Sequence, residues 1–370
     1  MNPIKRISII GVGLLGGSLA LALKQAHPRL RIIGYDRTPI LKRALKLGAI
    51  DEAATDLLSA VIQSDCIVFA TPISTTLDLL RSVGKFISPG SIVSDVCSVK
   101  VPVEKAVKKF LPKGVLFVGG HPMAGSENSG IDNADPLMFE NAYYVLCVPK
   151  LAGRSDHTRK ERLKAFIDLI ESTGGRVIFL DAALHDRIVA SVSHIPQILA
   201  VALMNLVAKG DDSRSLQLAA GSFRDLTRVA SSSYSIWDDI FRMNKKEISR
   251  SLEKLIRQLR MYKDSIDLNR LENVRNQFVR AKNLRDAIPK DMKGFHRPLV
   301  DVLVSVEDKP GAISKISSAL YRHHINIKDM ELLKVREGEM GTFRLSFETQ
   351  KVAKQATKIL DKAGFKATKR

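Results

Sequence analysis

The chain has 370 residues, enough for two or three domains with sizeable cores, and its 45% apolar and 26% charged residues are ordinary for a globular protein. A formal charge of +19 admits nucleic acid or anionic small molecules as partners, but acidic residues are interleaved throughout and no aromatic-laced basic patch or basic arm occurs, which argues against nucleic acid. The three cysteines, Cys66, Cys97 and Cys147, show no CxxC spacing, which argues against a disulfide framework or a zinc site and fits a reducing cytosol.

Lys5 and Arg6 precede an uncharged run from Ile7 to Leu23 that mimics a signal peptide. Glycines at 11, 13, 16 and 17 give it another explanation, and no other stretch is expected to span a membrane. Ile4 to Ile10 reads as a buried strand. Gly11, Gly13 and Gly16 follow in G-x-G-x-x-G spacing, and Ser18 to Lys24 reads as a helix. Gly11 permits a tight turn, Gly13 leaves room for a pyrophosphate, and Gly16 lets helix and strand pack closely. The helix N-terminus offers unpaired N–H groups to the phosphates. Arg31 to Tyr35 is a second strand ending at Asp36, where a carboxylate accepts hydrogen bonds from a ribose 2′-hydroxyl. The acid favours NAD over NADP, a preference that the adjacent Arg37 softens.

The rhythm of strand and helix continues. Asp65 to Ala70 is a strand that Thr71-Pro72 breaks, and Ser74 to Gly84 is helical. Ser91 to Ser94 is a strand ending at Asp95, and Val99 to Phe110 is a helix. Ser98 and Lys100 sit at that strand's end, either facing a cofactor or, for the serine, capping the next helix. Val115 to Val118 is a strand running into Gly119-Gly-His-Pro-Met-Ala-Gly-Ser-Glu127, and Pro122 is expected to stop it. His121 then sits in a glycine-rich loop at a strand end, as a ligand residue or as an incidental turn histidine. Tyr143 to Val148 and Arg176 to Leu180 are strands flanking a helix from Arg159 to Ser172. The alternation predicts an α/β fold with a mostly parallel, doubly wound sheet over residues 1–180.

From Asp181 helical periodicity takes over. Ala182 to Lys209 contains Ser193-His-Ile-Pro196, where the proline is expected to kink or open a helix. Gly221-Ser-Phe-Arg-Asp-Leu-Thr-Arg228 and Trp237, the single tryptophan, follow. Asp239 to Ile266 reads as one long amphipathic helix, a core or dimer seam. Arg228 suits a carboxylate, or else pairs with local acids such as Asp225. Lys290 to Pro298 reads as a linker, and 298–370 as β-α-β-β-α, a ferredoxin-like module with a turn at Asp308 to Gly311 and a hairpin between Gly338 and Gly341.

Together these motifs resemble the prephenate dehydrogenase family. The glycine loop Gly11 to Ser18, the Asp95 to Lys100 segment, His121 to Glu127, Ser193 to Pro196 and Gly221 to Arg228 occur in the family's order over most of residues 1–240. The C-terminal unit resembles an ACT domain, through Lys309-Pro-Gly311 and Ile325-Asn-Ile327. The resemblance implies an N-terminal Rossmann domain (1–180), a helical substrate and dimerisation domain (181–293) and an ACT regulatory domain (298–370). It implies NAD-dependent oxidative decarboxylation of prephenate to 4-hydroxyphenylpyruvate in tyrosine biosynthesis, by a cytoplasmic homodimer that binds neither nucleic acid nor membrane. No metal and no fused chorismate mutase segment are expected.

By the same resemblance His121 accepts a hydrogen bond from the substrate's ring hydroxyl, and Ser98 helps place it and the nicotinamide. Ser126, His194, Gly221, Arg228 and Trp237 bind or shape the substrate site. Gly11, Gly13, Leu14, Leu15, Gly16, Asp36, Arg37, Thr71 and Pro72 form the cofactor site. Pro310, Gly311, Ala312, Asn326 and Ile327 would bind an effector, with tyrosine, the end product, expected. Cys97 stands where the family has glycine, and Gln197 where many members have histidine. Arogenate in place of prephenate, or a catalytically silent amino-acid sensor, remain as alternatives.

Overall fold

A computed structural model describes residues 4–62, 64–125, 128–149, 157–209, 213–287, 299–307, 309–334 and 340–369. The expected linker from Lys290 to Pro298, Asp308, Gly338 and Ser126 lie outside them. The chain forms two compact units, Met1–Val274 and Arg275–Arg370, with the helical segment up to Val274 packed in the first.

The first unit is built on eight strands: β1 (Arg6–Ile10), β2 (Arg31–Tyr35), β3 (Glu52–Ala53), β4 (Cys66–Phe69), β5 (Ile92–Asp95), β6 (Leu116–Pro122), β7 (Tyr143–Cys147) and β8 (Arg176–Phe179). Their order is β3-β2-β1-β4-β5-β6-β7-β8. All neighbours are parallel except β6 and β7. Successive residues face opposite sides of the sheet, so Ile9 and Val68 enter one core and Ile10 and Phe69 the other. Leu19 and Phe166, from flanking helices, join the first core.

The strand end at Pro122 differs from expectation. β6 runs through the proline, with Pro122 opposite Tyr144. Its pairing with β5 ends at Gly119, opposite Asp95, so the missing N–H falls beyond that ladder. Gly120 lies so close to β5 that a Cβ there would sit 2.4 Å from the Asp95 carbonyl oxygen.

The second core also takes in Ala190, Ile240 and Ile248, with Trp237 and Phe241 packed against it, so the helical segment closes one face of the sheet. The helix over Ala182–Val189 passes into a π turn, Ala190–His194, and then into Ile195–Ala208. Pro196 therefore opens the helix without breaking it. By length and composition Ala182–Ala208 is apolar enough to cross a membrane, contrary to expectation. It nevertheless carries His185, Asp186 and His194 buried. The expected single helix from Asp239 divides at Asn244, into Tyr234–Met243 and Lys245–Asp267.

The second unit holds β9 (Val300–Glu307), β10 (Asp329–Lys334), β11 (Met340–Phe347) and β12 (Lys366–Lys369) in the order β10-β11-β9-β12. The helices Ala312–Tyr321 and Gln350–Lys362 contribute Ile316, Leu320, Ala356 and Leu360 to its core, against Val302, Val304 and Leu345.

Candidate active site

The parallel strands β1, β4 and β5 end together, level with Gly119 of β6, which runs on to Pro122. Ile10, Phe69, Asp95 and Gly119 lie side by side in register. With strands ~4.8 Å apart, the loops after β1 and β6 stand about 14 Å apart along one edge.

At the β1 end, Gly11 has φ +96, and a Cβ there would meet the Ala70 carbonyl oxygen at 2.6 Å. At Gly16 a Cβ would lie 2.0 Å from the Gly11 carbonyl oxygen, whereas at Gly13 it would meet nothing within 4 Å. The loop is thus tight at its first and third glycines and open at its second, as a pyrophosphate cradle requires. Leu14 and Leu15 begin the Leu14–Ala26 helix, whose N-cap Gly13 supplies no side-chain hydrogen bond to the first turn. Asp36 Oδ2 accepts the Val12 N–H at 2.8 Å and Oδ1 the Arg37 N–H at 2.7 Å, which anchors the acid beside the loop. Arg37 itself is exposed. Thr71 bonds the Thr76 hydroxyl at 2.8 Å, and Pro72 caps the helix Ile73–Val83. These residues fit a dinucleotide.

At the β5 end, Ser98 is half-buried, but Lys100 does not face a cofactor. It is buried, with Nζ donating to Asp95 Oδ2 and to the Gly120 carbonyl beneath His121. A buried cation is held only when paired in this way. Cys97 donates its backbone N–H to Asp95 Oδ2 at 3.0 Å, and burial pushes its thiol up to about 12, so it stays neutral.

His121 is the half-buried residue near the β6 end. Its Nδ1 lies 2.8 Å from Nε2 of His185, and His185 Nδ1 lies 2.8 Å from Asp186 Oδ1. Asp186 also accepts the N–H groups of Lys100 (2.7 Å) and Val101 (2.9 Å), at the start of the helix Val101–Phe110. Burial, then the neighbouring His185, Lys100 and His194, hold His121 well below the ordinary imidazole value of 6.5. His194 is buried, edge-on to Trp237 at 6.0 Å, and burial holds it at about 4 although Asp186 pulls the other way. Asn244, at the helix break, donates Nδ2 to the Asp186 carbonyl at 2.8 Å and lies 3.4 Å from His194 Nδ1.

Of the expected substrate residues, the structure gathers His121, His194 and Trp237 around this network. Gly221 and Arg228 stand exposed on the adjoining Gly221–Thr227 helix and the turn Arg228–Ser231. Gln197, buried one turn after His194, donates to the Val229 carbonyl at 3.0 Å and so anchors the turn bearing Arg228. In the second unit, Gly311 (φ +87) caps the helix Ala312–Tyr321. Gly311 and Ala312 line a cavity of about 450 Å³ with Phe343 and Leu332. Pro310 and Asn326 are exposed, and Ile327 packs against the core.

Residues 19–179 match the nucleotide-binding domain of prephenate dehydrogenase, 181–280 its dimerization domain, and 300–365 the ACT domain. The prephenate dehydrogenase of Bacillus subtilis is 35% identical over 98% of this chain and 97% of its own length. The chain belongs to the prephenate dehydrogenase family. It is an NAD-dependent oxidoreductase of that family. Among solved structures, that of the Aquifex aeolicus prephenate dehydrogenase with hydroxyphenyl propionate and NAD+ shares 29% identity and a TM-score of 0.69, covering 77% of this chain and 98% of its own. Synechocystis arogenate dehydrogenase is 29% identical with a TM-score of 0.65, covering 76% of this chain and 99% of its own.

His185, Asp186 and Asn244 were missed by sequence reasoning. The only signal was an acid beside a histidine at the opening of a helix, a pairing common on solvated surfaces.

Proposed function

We propose that the chain converts prephenate to 4-hydroxyphenylpyruvate, with His121 as hydrogen-bond acceptor for the ring hydroxyl. The observation that carries this reading is a neutral, half-buried imidazole on the same sheet edge as the open glycine loop. NAD, when bound, supplies the hydride acceptor. A neutral imidazole polarises the hydroxyl on the carbon that is oxidised, and loss of carbon dioxide is driven by aromatisation. Ser98 orients the reacting groups. Arg228 takes a substrate carboxylate through its planar fork. His194, Trp237, Gly221 and Ser126 complete the pocket. Gly11, Gly13, Leu14, Leu15, Gly16, Asp36, Arg37, Thr71 and Pro72 hold the dinucleotide.

The domains divide at 1–180, 181–293 and 298–370. The exposed apolar residues Leu206, Leu218, Leu226 and Tyr234 of the helical segment support a homodimer seam. Three free, buried thiols support a cytoplasmic site. Tyrosine binds the ACT unit near Gly311 and Ala312, with Pro310, Asn326 and Ile327, and inhibits. NADH formation with prephenate and with arogenate, each with and without tyrosine, tests the reading. A higher kcat/KM for arogenate overturns the substrate, and unchanged rates with tyrosine overturn the effector.

A further inference from the structure

We propose that His185 and Asp186 are positioning residues that lock His121 in one neutral tautomer, with its proton on Nδ1 and its lone pair on Nε2. This rests on the reading of His121 as acceptor and adds which nitrogen accepts.

Donor and acceptor capacity runs one way along the chain of contacts. An ionised carboxylate only accepts. Asp186 takes two backbone N–H groups at the start of the Val101–Phe110 helix, where the dipole favours negative charge. His185 Nδ1, 2.8 Å from Asp186 Oδ1, therefore donates. In neutral His185 the other nitrogen, Nε2, then holds a lone pair. His121 Nδ1, 2.8 Å from it, must donate in turn. What remains on His121 is an unprotonated Nε2, which suits a hydroxyl donor. A protonated His185 would reverse the second bond and leave His121 presenting an N–H there, the wrong polarity for the reaction.

His185 is fully buried and Asp186 is 3% exposed, so neither touches substrate. The Asp186 carbonyl is itself held by Asn244, so the carboxylate's own residue is fixed from the helical segment. The rings of His121 and His185 meet edge-on, 73° apart, which fixes the plane of the first against the second.

The test is nitrogen NMR on full-length protein labelled with 15N-histidine, at neutral pH without substrate, with His121 assigned by comparison with His121→Asn. The expected result is a pyrrole-like Nδ1 and a pyridine-like Nε2 on His121. The mirror pattern, or a doubly protonated ring, overturns the proposal. His185→Gln presents an amide oxygen where Nε2 stood and is expected to retain the tautomer and most of kcat. His185→Leu is expected to mix the tautomers and lower kcat by ~100-fold with little change in the KM for NAD. Equal losses in both variants with the His121 tautomer unchanged would reduce His185 to packing and overturn the proposal. Because the spectrum is read without substrate, an error in the substrate assignment leaves this result standing.

Discussion

At the scale of single residues, the proposed mechanism depends on His121 remaining neutral. His121→Asn is expected to keep the fold and lower kcat by roughly 10²–10⁴-fold; near-normal turnover would remove the histidine from the mechanism. Protonation abolishes the acceptor, so activity is present above the His121 pKa and lost as pH falls through it. Burial puts that pKa below 6.5. The acidic limb of kcat/KM is therefore expected below 6.5, and a limb centred above it would contradict the assignment. In the proposed mechanism Arg228 serves binding and not chemistry. Arg228→Ala is expected to raise the KM for prephenate by about 10–100-fold, the worth of a charge-assisted hydrogen bond, while the KM for NAD barely moves. Similar rises in both would place the arginine elsewhere.

At the scale of elements, the glycine loop separates space from packing. Gly13 has φ −84 and open space at its Cβ. Gly13→Ala is therefore expected to lower the melting temperature less than Gly16→Ala does, while weakening NAD binding. Gly16→Ala drives a methyl into the Gly11 carbonyl, and is expected to cost ~1–3 kcal/mol of stability along with cofactor affinity. Calorimetry with NAD titration distinguishes the two, and a Gly13→Ala protein that binds NAD normally would refute the pyrophosphate placement. This loop was legible in the sequence because its meaning is local: three glycines, a strand and a helix within twenty residues. His121 was legible as a strand-end residue for the same reason. The His185–Asp186–Asn244 network was not, because it joins segments 58 and more residues apart. The break at Asn244 was hidden as well. The apolar stripe continues across it, and only the tertiary hydrogen bond to Asp186 shows why the helix stops there. Lys100 was misplaced because a lysine at a strand end reads as ligand-facing until its buried partners are seen.

At the scale of the molecule, burial of neutral histidines ties stability to pH. Above 6.5 His194 is neutral whether folded or not. Between 6.5 and about 4 the unfolded chain takes up a proton that the folded chain refuses, so stability falls as pH drops through that window, by at most ~3 kcal/mol for this residue. Denaturant melts at stepped pH check this, and a His194→Gln protein should lose part of the slope. The second unit has its own apolar core around Val302, Val304 and Leu345. The first behaves differently. Ile240 and Ile248 from the helical segment share a core with Phe69 and Val93 of the sheet, and Asp239 accepts hydrogen bonds from both the N–H and the hydroxyl of Ser74. The half expected to hold NAD and the half expected to hold the acid substrate thus share one core. Swinging the two apart would expose that core, so substrate entry is expected to proceed without it, and unfolding either half exposes the other's apolar face. Residues 1–274 should accordingly melt in one cooperative transition, with calorimetric and van't Hoff enthalpies that agree for that unit.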